Sequence, residues 1–509
     1  MSVVIDGSAL TIQDVVAVAN GRVAVAVGEG LAERMMPALQ VVRSAVHSDD
    51  TVYGVTTGFG ALAMTRIPRD EVEELQVDLL RSHAGAVGEL LDPVTVRAMQ
   101  LLRARTLAQG YSGVRPEIVE FIVEMIGRDL VPAVPSQGSV GASGDLAQFA
   151  HLALPLIGEG FLLVDGEPVA SSRVLRDAGM EPLTLQPKEG LSLLNGTEGM
   201  LAQGCLAVDH ATTLTDAADA ACALSIEALL ASTVPLDPRI HRLRPHPGQI
   251  ESAGLMARLL DGSEIVASHR DDMVHAVQDA YSIRCAPQVH GAVRDSIAHA
   301  ALVFERELGA VVDNPIVFPE EGDVISGGNF HGEPLAFALD LLAIAVTELG
   351  SISERRTDRI LDPQRSSGLT PFLAQRPGVE SGYMLAQYTA AALVAESRVL
   401  AHPASIDSIP TSGSQEDHVS MGWGAARKLN DVIDNITRVI AVELICAAQG
   451  AEQRSPLEPA NGTAALIAAI RSGVPPLEGD RPPSPDIETA ATLIADGSIG
   501  AVVHGTVER

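Results

Sequence analysis

Apolar positions recur with a helical period over most of the chain. The opening SVVIDGS predicts a short strand, and LTIQDVVAVANG a helix that stops at a glycine. TVYGVTTGFGALA, with Gly54, Gly58 and Gly60, has no helical period and reads as a loop. Helical spacing returns from Asp70 to Ala108, with Val72, Leu75, Leu79 and Leu80 on one side. Pro132 and Pro135 break the chain before SQGSVGASGD, and LAQFAHLALPLIGEG then predicts a buried helix starting near Asp145. Beyond about Leu191, Ala- and Leu-rich stretches dominate, at about 198–232, 288–312, 334–356, 380–402 and 420–452. RSGVPPLEGDRPPSPD reads as a loop before a last helix. The expected fold is mainly α: an N-terminal lobe with minor β over residues 1–190, then a long-helix bundle with C-terminal helices over residues 191–509. Apolar faces on so many helices are hard to bury in one chain, so assembly through the bundle is expected.

Composition sharpens this picture. Of the 509 residues 46% are hydrophobic but only 3% aromatic, so the core must be Ala, Leu, Val and Ile, which favours closely packed helices over a β-sandwich. Thirty-five basic against 65 acidic residues give a net charge of −30, a field that repels phosphate backbones and anionic lipids. Neither nucleic acid nor a membrane surface is expected as a partner. A small anionic substrate would need a specific local cation. Four scattered cysteines form neither a disulfide framework nor a C-x-x-C metal pair. MSVVIDGSALTIQD lacks the pattern of a secretory signal, and Asp340 and Glu348 divide the apolar run PLAFALDLLAIAVTELG, so no bilayer-spanning segment is expected. The economical expectation is a soluble cytoplasmic protein.

Chemistry concentrates in SQGSVGASGDLA, which puts Ala142-Ser143-Gly144 in a glycine-rich turn before a helix. Alone, the tripeptide reads as a turn whose Asp145 or Ser143 caps that helix. It also permits a second chemistry. If the Gly144 nitrogen reached the Ala142 carbonyl carbon, ring closure and loss of two waters would turn Ser143 into an exocyclic methylidene, a carbon electrophile. Glycine, lacking a Cβ, allows that approach, and the helix N-terminus would favour negative charge on the ring.

The neighbouring segments decide between the two. YGVTTGFG, SHAGAVG, GSVGASGDLA, KEGLSLLNGTEG, QDAYSIRCAPQV, DNPIV, GNFHGEP, ERRTDR, LAHPASIDSIPTSGSQEDHVSMG and AARKL resemble, in order, segments of the histidine/phenylalanine ammonia-lyase family, from about residue 50 to 450. The resemblance implies a fumarase/aspartase-like helical architecture and a methylidene-imidazolone (MIO) cofactor formed from Ala142, Ser143 and Gly144, with no metal or dissociable cofactor. It also implies a homotetramer whose active sites draw on several subunits. Tyr53 matches the catalytic tyrosine of the family, able as a phenolate to remove a β-proton. Tyr281 matches a second catalytic tyrosine. Asn195 matches an asparagine that bonds cofactor or substrate, and Gln278 a cofactor-side amide. Arg284 matches the arginine that grips the substrate carboxylate, which a planar guanidinium can do with two parallel hydrogen bonds. Phe330 resembles the aromatic residue packed on cofactor and substrate.

Within the family, Ser82-His83 and Glu416 fit the histidine pattern, where aromatic lyases carry apolar residues and glutamine respectively. A carboxylate facing a phenyl ring would be buried without a partner; facing an imidazole it can accept an N–H. Met384 fits the same pattern as an apolar wall. The resemblance therefore implies conversion of L-histidine to trans-urocanate and ammonia, with Glu416 as base or binding group. Phenylalanine or tyrosine ammonia-lyases and aminomutases remain the alternatives within the family. A fumarase-type enzyme would carry a serine-rich GSS loop, which is missing from the sequence. A metal hydrolase is disfavoured because His241, His246, His331 and His418 show no HExxH spacing. A non-catalytic helical scaffold would leave the co-occurrence of Tyr53, the tripeptide, Arg284 and Glu416 unexplained. Gln148-Phe149 departs from the usual Pro-Leu and is expected not to alter the chemistry.

Overall fold

A computed structural model of the chain describes residues 2–47, 57, 67–68, 71–269 and 278–505. Tyr53 lies outside the described residues. The chain folds as two compact units, each discontinuous in sequence: Met1–Leu206, Ala301–Leu339 and Pro403–Arg427 form one, and Ala207–Ala300, Asp340–His402 and Lys428–Arg509 the other.

As the apolar periodicity predicts, the fold is mainly α, with short strands paired into two-stranded sheets. In the first unit, strands Ser2–Ile5 and Ala24–Val27 pair in parallel across the helix Ile12–Ala19. That helix starts at a capping box, in which Thr11 and Asp14 each satisfy a backbone N–H of the other. The region read as helical from Asp70 to Ala108 is two helices, Val72–His83 and Pro93–Ala108, parted by the strand Val87–Leu90. This strand pairs antiparallel with Pro135–Gln137, the segment entering the Ala-Ser-Gly turn. Helix Val72–His83 packs on Leu146–Ala153, which leaves that turn, and on Glu189–Leu194, which ends at Asn195.

The long Ala- and Leu-rich stretches form the helices Glu198–Ala228, Ala286–Glu307, Glu333–Leu361, Met384–Leu400 and Gly422–Glu452. One expectation is corrected here. Helix Glu333–Leu361 is long and apolar enough to cross a bilayer despite Asp340 and Glu348, but most of its apolar stretch is buried inside the fold, as in the core helix of a soluble protein. The expected last helix is two, Ser484–Ala495 and Ser498–Gly505.

The second unit buries an ionic network. Arg356 donates to both carboxylate oxygens of Glu443, at 2.5 and 2.8 Å, and Ser225 and Ser353 donate to the same carboxylate. Arg356 also donates to the Ser282 carbonyl at 3.2 Å and to His290 Nε2 at 3.2 Å, while His290 Nδ1 lies 2.7 Å from Asp219. Cys205, Cys222 and Cys446 are free and buried. Burial pushes all three thiols up, Cys222 to about 12.

Candidate active site

The Ala-Ser-Gly turn is held by backbone from two directions. Ser143 (φ 52) and Gly144 (φ 75) both adopt left-handed conformations, folding the chain sharply back on itself. The Gly196 N–H donates to the Ser143 carbonyl at 3.2 Å, and the Asp145 N–H to the Gly196 carbonyl at 3.0 Å. A Cβ on Gly144 would lie 1.8 Å from the Gly196 carbonyl oxygen, so only glycine fits. On the other side, the Met421 N–H donates to the Val140 carbonyl at 2.9 Å, and a Cβ on Gly141 would meet Ser420 Oγ at 2.1 Å. Ser139 Oγ accepts from the Gly141 N–H at 3.0 Å and lies 3.3 Å from the Gly144 carbonyl oxygen.

Asp145 does not cap its own helix. Its carboxyl instead accepts from the Met200 N–H at 2.8 Å, in the first turn of Glu198–Ala228, and sits 3.2 Å from Ser139 Oγ. Burial raises this carboxyl to about 7, with the charge of Glu198 adding to the effect, against hydrogen bonds from Met200 and Ser139 and the Arg103 cation. The folded chain therefore binds more protons than the unfolded chain between about pH 4 and 7, and stability falls as pH rises through that window. This pH dependence is worth about 4 kcal/mol. Asp145→Asn is expected to flatten the thermal-unfolding midpoint against pH between about pH 4 and 7. An unchanged slope would assign the effect to another group.

Asn195 is buried at the end of its short helix, with Nδ2 donating to Asp313 Oδ1 at 3.3 Å and to the Asn314 carbonyl at 3.1 Å. Its Oδ1 is buried without a hydrogen-bond partner among the described residues. Lys188 explains why Asp313 stays charged there: its ammonium bonds Asp313 Oδ2 at 2.8 Å and Ser192 Oγ at 3.0 Å. Burial alone would raise the Asp313 carboxyl, but Lys188 and the surrounding hydrogen bonds bring it below the usual range. Arg103, fully buried, donates to the carbonyls of Ser192 and Asn195 and to Glu198, and lies 4.4 Å over the ring of Phe149. The Gln148-Phe149 departure thus touches the Asn195 support through a cation–π contact. An orphaned buried amide oxygen, two left-handed residues and a close approach reserved for glycine are what a ring built from Ala142, Ser143 and Gly144 requires, and the residues fit that group.

His83 ends the helix Val72–His83, half-buried. Its Nδ1 lies 2.9 Å from the Leu79 carbonyl, which can only accept, so Nδ1 carries the proton and Nε2 is left as an acceptor. Burial lowers its pKa, favouring this neutral form. Glu416 is half-buried in the segment 411–416, closed by the Thr411 N–H bond to the Glu416 carbonyl at 2.9 Å. Five residues on, Met421 reaches Val140 beside the turn. Glu416 Oε2 is buried without a hydrogen-bond partner among the described residues. Phe330 is half-buried beside Gly332, where a Cβ would meet Met200 Sδ at 2.4 Å.

The remaining predicted residues belong to the second unit. Tyr281 and Arg284 share one helical turn, with the guanidinium 4.6 Å over the exposed phenol ring. Arg284 Nε is buried without a hydrogen-bond partner among the described residues, and Arg356 holds the Ser282 carbonyl between the two. Gln278 is exposed and lines a cleft of about 220 Å³ with Ile283 and Arg359. Met384 is half-buried at the start of its helix. Sequence reasoning missed Ser139, Asp145, Arg103, Lys188 and Asp313 as supports. Arg103 alone left a local trace, an arginine set among Leu101, Leu102 and Ala104 in a helical stretch that also carries Arg97 and Arg105.

Comparison with known proteins bears directly on this arrangement. The aromatic amino acid lyase family matches residues 10–472. A histidine ammonia-lyase of Gloeobacter violaceus is 51% identical over 506 residues, covering 99% of this chain and 98% of that protein. The crystal structure of histidine ammonia-lyase from Trypanosoma cruzi is 42% identical, with a TM-score of 0.91 and coverage of 99% and 96% of the two chains. Tyrosine aminomutase from Streptomyces globisporus is 38% identical, with a TM-score of 0.94 and 99% of each chain covered. With its left-handed Ala-Ser-Gly turn and a family match over most of its length, the chain belongs to the aromatic amino acid lyases.

Proposed function

We propose that this chain removes ammonia from L-histidine to give trans-urocanate. The observation that carries the substrate is Glu416, whose carboxylate has a buried oxygen free to accept a hydrogen bond among the described residues. An imidazole N–H satisfies that oxygen, whereas a phenyl ring leaves it orphaned. His83 Nε2, left as an acceptor, suits the same ring in its protonated form, in which both nitrogens donate. Overall fold does not decide the substrate, since lyase and aminomutase relatives superpose on this chain about equally well.

The MIO group, formed by closure of the Gly144 nitrogen on the Ala142 carbonyl carbon with loss of two waters, supplies an electrophilic carbon for the substrate amine. Arg284 pairs the substrate carboxylate, the local cation that a chain of net charge −30 needs. Asn195 accepts or donates beside the turn, held by Asp313 and Arg103. Phe330 and Met384 wall the side chain. Tyr53, outside the described residues, takes the β-proton, and Tyr281 and Gln278 complete the polar lining. A homotetramer fits the exposed apolar positions Leu385, Tyr388 and Val399 on one helix.

Intact mass should show the loss of two waters within the peptide holding residues 142–144, and a panel of histidine, phenylalanine and tyrosine should show turnover of histidine alone. An unmodified Ser143, or faster turnover of phenylalanine, would overturn the reading; β-amino acid product would make the chain an aminomutase. Glu416→Gln should lower kcat/KM for histidine about 10- to 100-fold, the range for losing a hydrogen bond to a charged group, and leave any residual phenylalanine turnover unchanged. Equal losses on both substrates would remove Glu416 from substrate selection.

A further inference from the structure

His331, Glu333 and His418 come together from segments 87 residues apart in sequence, their donor atoms all within 4.8 Å of one another. The two imidazole rings stack with centroids 5.8 Å apart and planes inclined by 16°. His331 Nε2 lies 3.3 Å from the His418 carbonyl oxygen. That oxygen can only accept, so Nε2 carries the proton and Nδ1 keeps its lone pair. Nδ1 in turn faces Glu333 Oε2 at 3.9 Å, and Oε2 is buried without a hydrogen-bond partner among the described residues. With a neutral His331 ring, two lone pairs face each other across that gap, and a backbone carbonyl fixes the tautomer, as it does for imidazoles that ligate metals.

We infer that His331 Nδ1, Glu333 Oε2 and a His418 nitrogen form a three-ligand site for a borderline divalent cation of the zinc class. Two imidazoles and one carboxylate, with a fourth position left to water, suit that class. Bond lengths of about 2.0–2.2 Å require the donors to close in by roughly an ångström. Exposed His418 can supply that movement by rotation. Exposed His418 opens one side of the site to solvent, and the charge of −30 favours cation entry. Because His331 follows Phe330 and His418 lies two residues past Glu416, a bound ion would tie together the two segments carrying those side chains.

The test is titration of the tag-free protein with Co2+, followed in the visible region, then displacement by Zn2+. One equivalent per chain should bind, with a band typical of nitrogen and oxygen ligands. His418→Gln and Glu333→Gln should each weaken binding by at least about a hundredfold, more than loss of an outer-shell partner does. Exposed His418 can change without disturbing the core, so its variant should keep the wild-type circular dichroism and thermal midpoint. A wild-type protein that takes up no cobalt, a band that survives both substitutions, or a thiolate charge-transfer band would overturn the proposal.

Discussion

Gly144→Ala is expected to abolish the two-water mass loss and to lower histidine turnover by at least about a hundredfold, as an ångström-scale misplacement of reacting groups does. The added methyl would sit 1.8 Å from the Gly196 carbonyl oxygen, far inside any tolerated contact. Gly196 cannot retreat cheaply, because its N–H and carbonyl both bond the turn. Gly179→Ala provides the control. It too is left-handed, at φ 69, but nothing lies within 4 Å of its added Cβ. Gly179→Ala should therefore carry only the conformational strain of about 1 kcal/mol and keep both modification and turnover. A Gly144→Ala protein that still loses two waters would show that close packing at position 196 is irrelevant to ring closure.

Arg356→Met is expected to have the second large effect. Removing one member of a buried ion pair costs about 3–5 kcal/mol, because the partner charge is left without compensation. Here Glu443 would keep only its two serine donors. Calorimetry should show a midpoint lowered by about 3–5 °C for a chain of this size. Adding Glu443→Gln should restore part of the loss, since the uncompensated charge goes too. The same variant should raise KM for histidine, because Arg356 anchors the Ser282 carbonyl between Tyr281 and Arg284. A single variant as stable as the wild type, or no more affected than the double variant, would refute this account of the network.

What the sequence makes legible follows the range of the forces involved. The long helices announce themselves because an Ala- and Leu-rich period is local: the stretch read at 420–452 is helix Gly422–Glu452. The strand Val87–Leu90 does not, since its partner Pro135–Gln137 lies beyond any local window. Gly497, left-handed at φ 81, splits the expected last helix in two. The Ala142-Ser143-Gly144 tripeptide stands out through family resemblance, but Asp145 as a cap for its own helix is not observed, because its carboxyl accepts from Met200, 55 residues on. Sequence spacing disfavours a metal hydrolase at His331 and His418, but spacing cannot show that tertiary structure brings these two rings together beside Glu333.

The buried thiols acquire a meaning from this chemistry. On the proposed chemistry the protein would make a soft carbon electrophile from its own backbone, and a cysteine thiolate is a soft nucleophile able to consume it. Attack requires the thiolate. Cys205, Cys222 and Cys446 are each walled off from solvent and held in the protonated state by that burial. Neighbouring molecules in a concentrated solution therefore cannot reach these three sulfurs, whereas half-buried Cys285, next to Arg284, lacks that protection and is the thiol left open to such an attack.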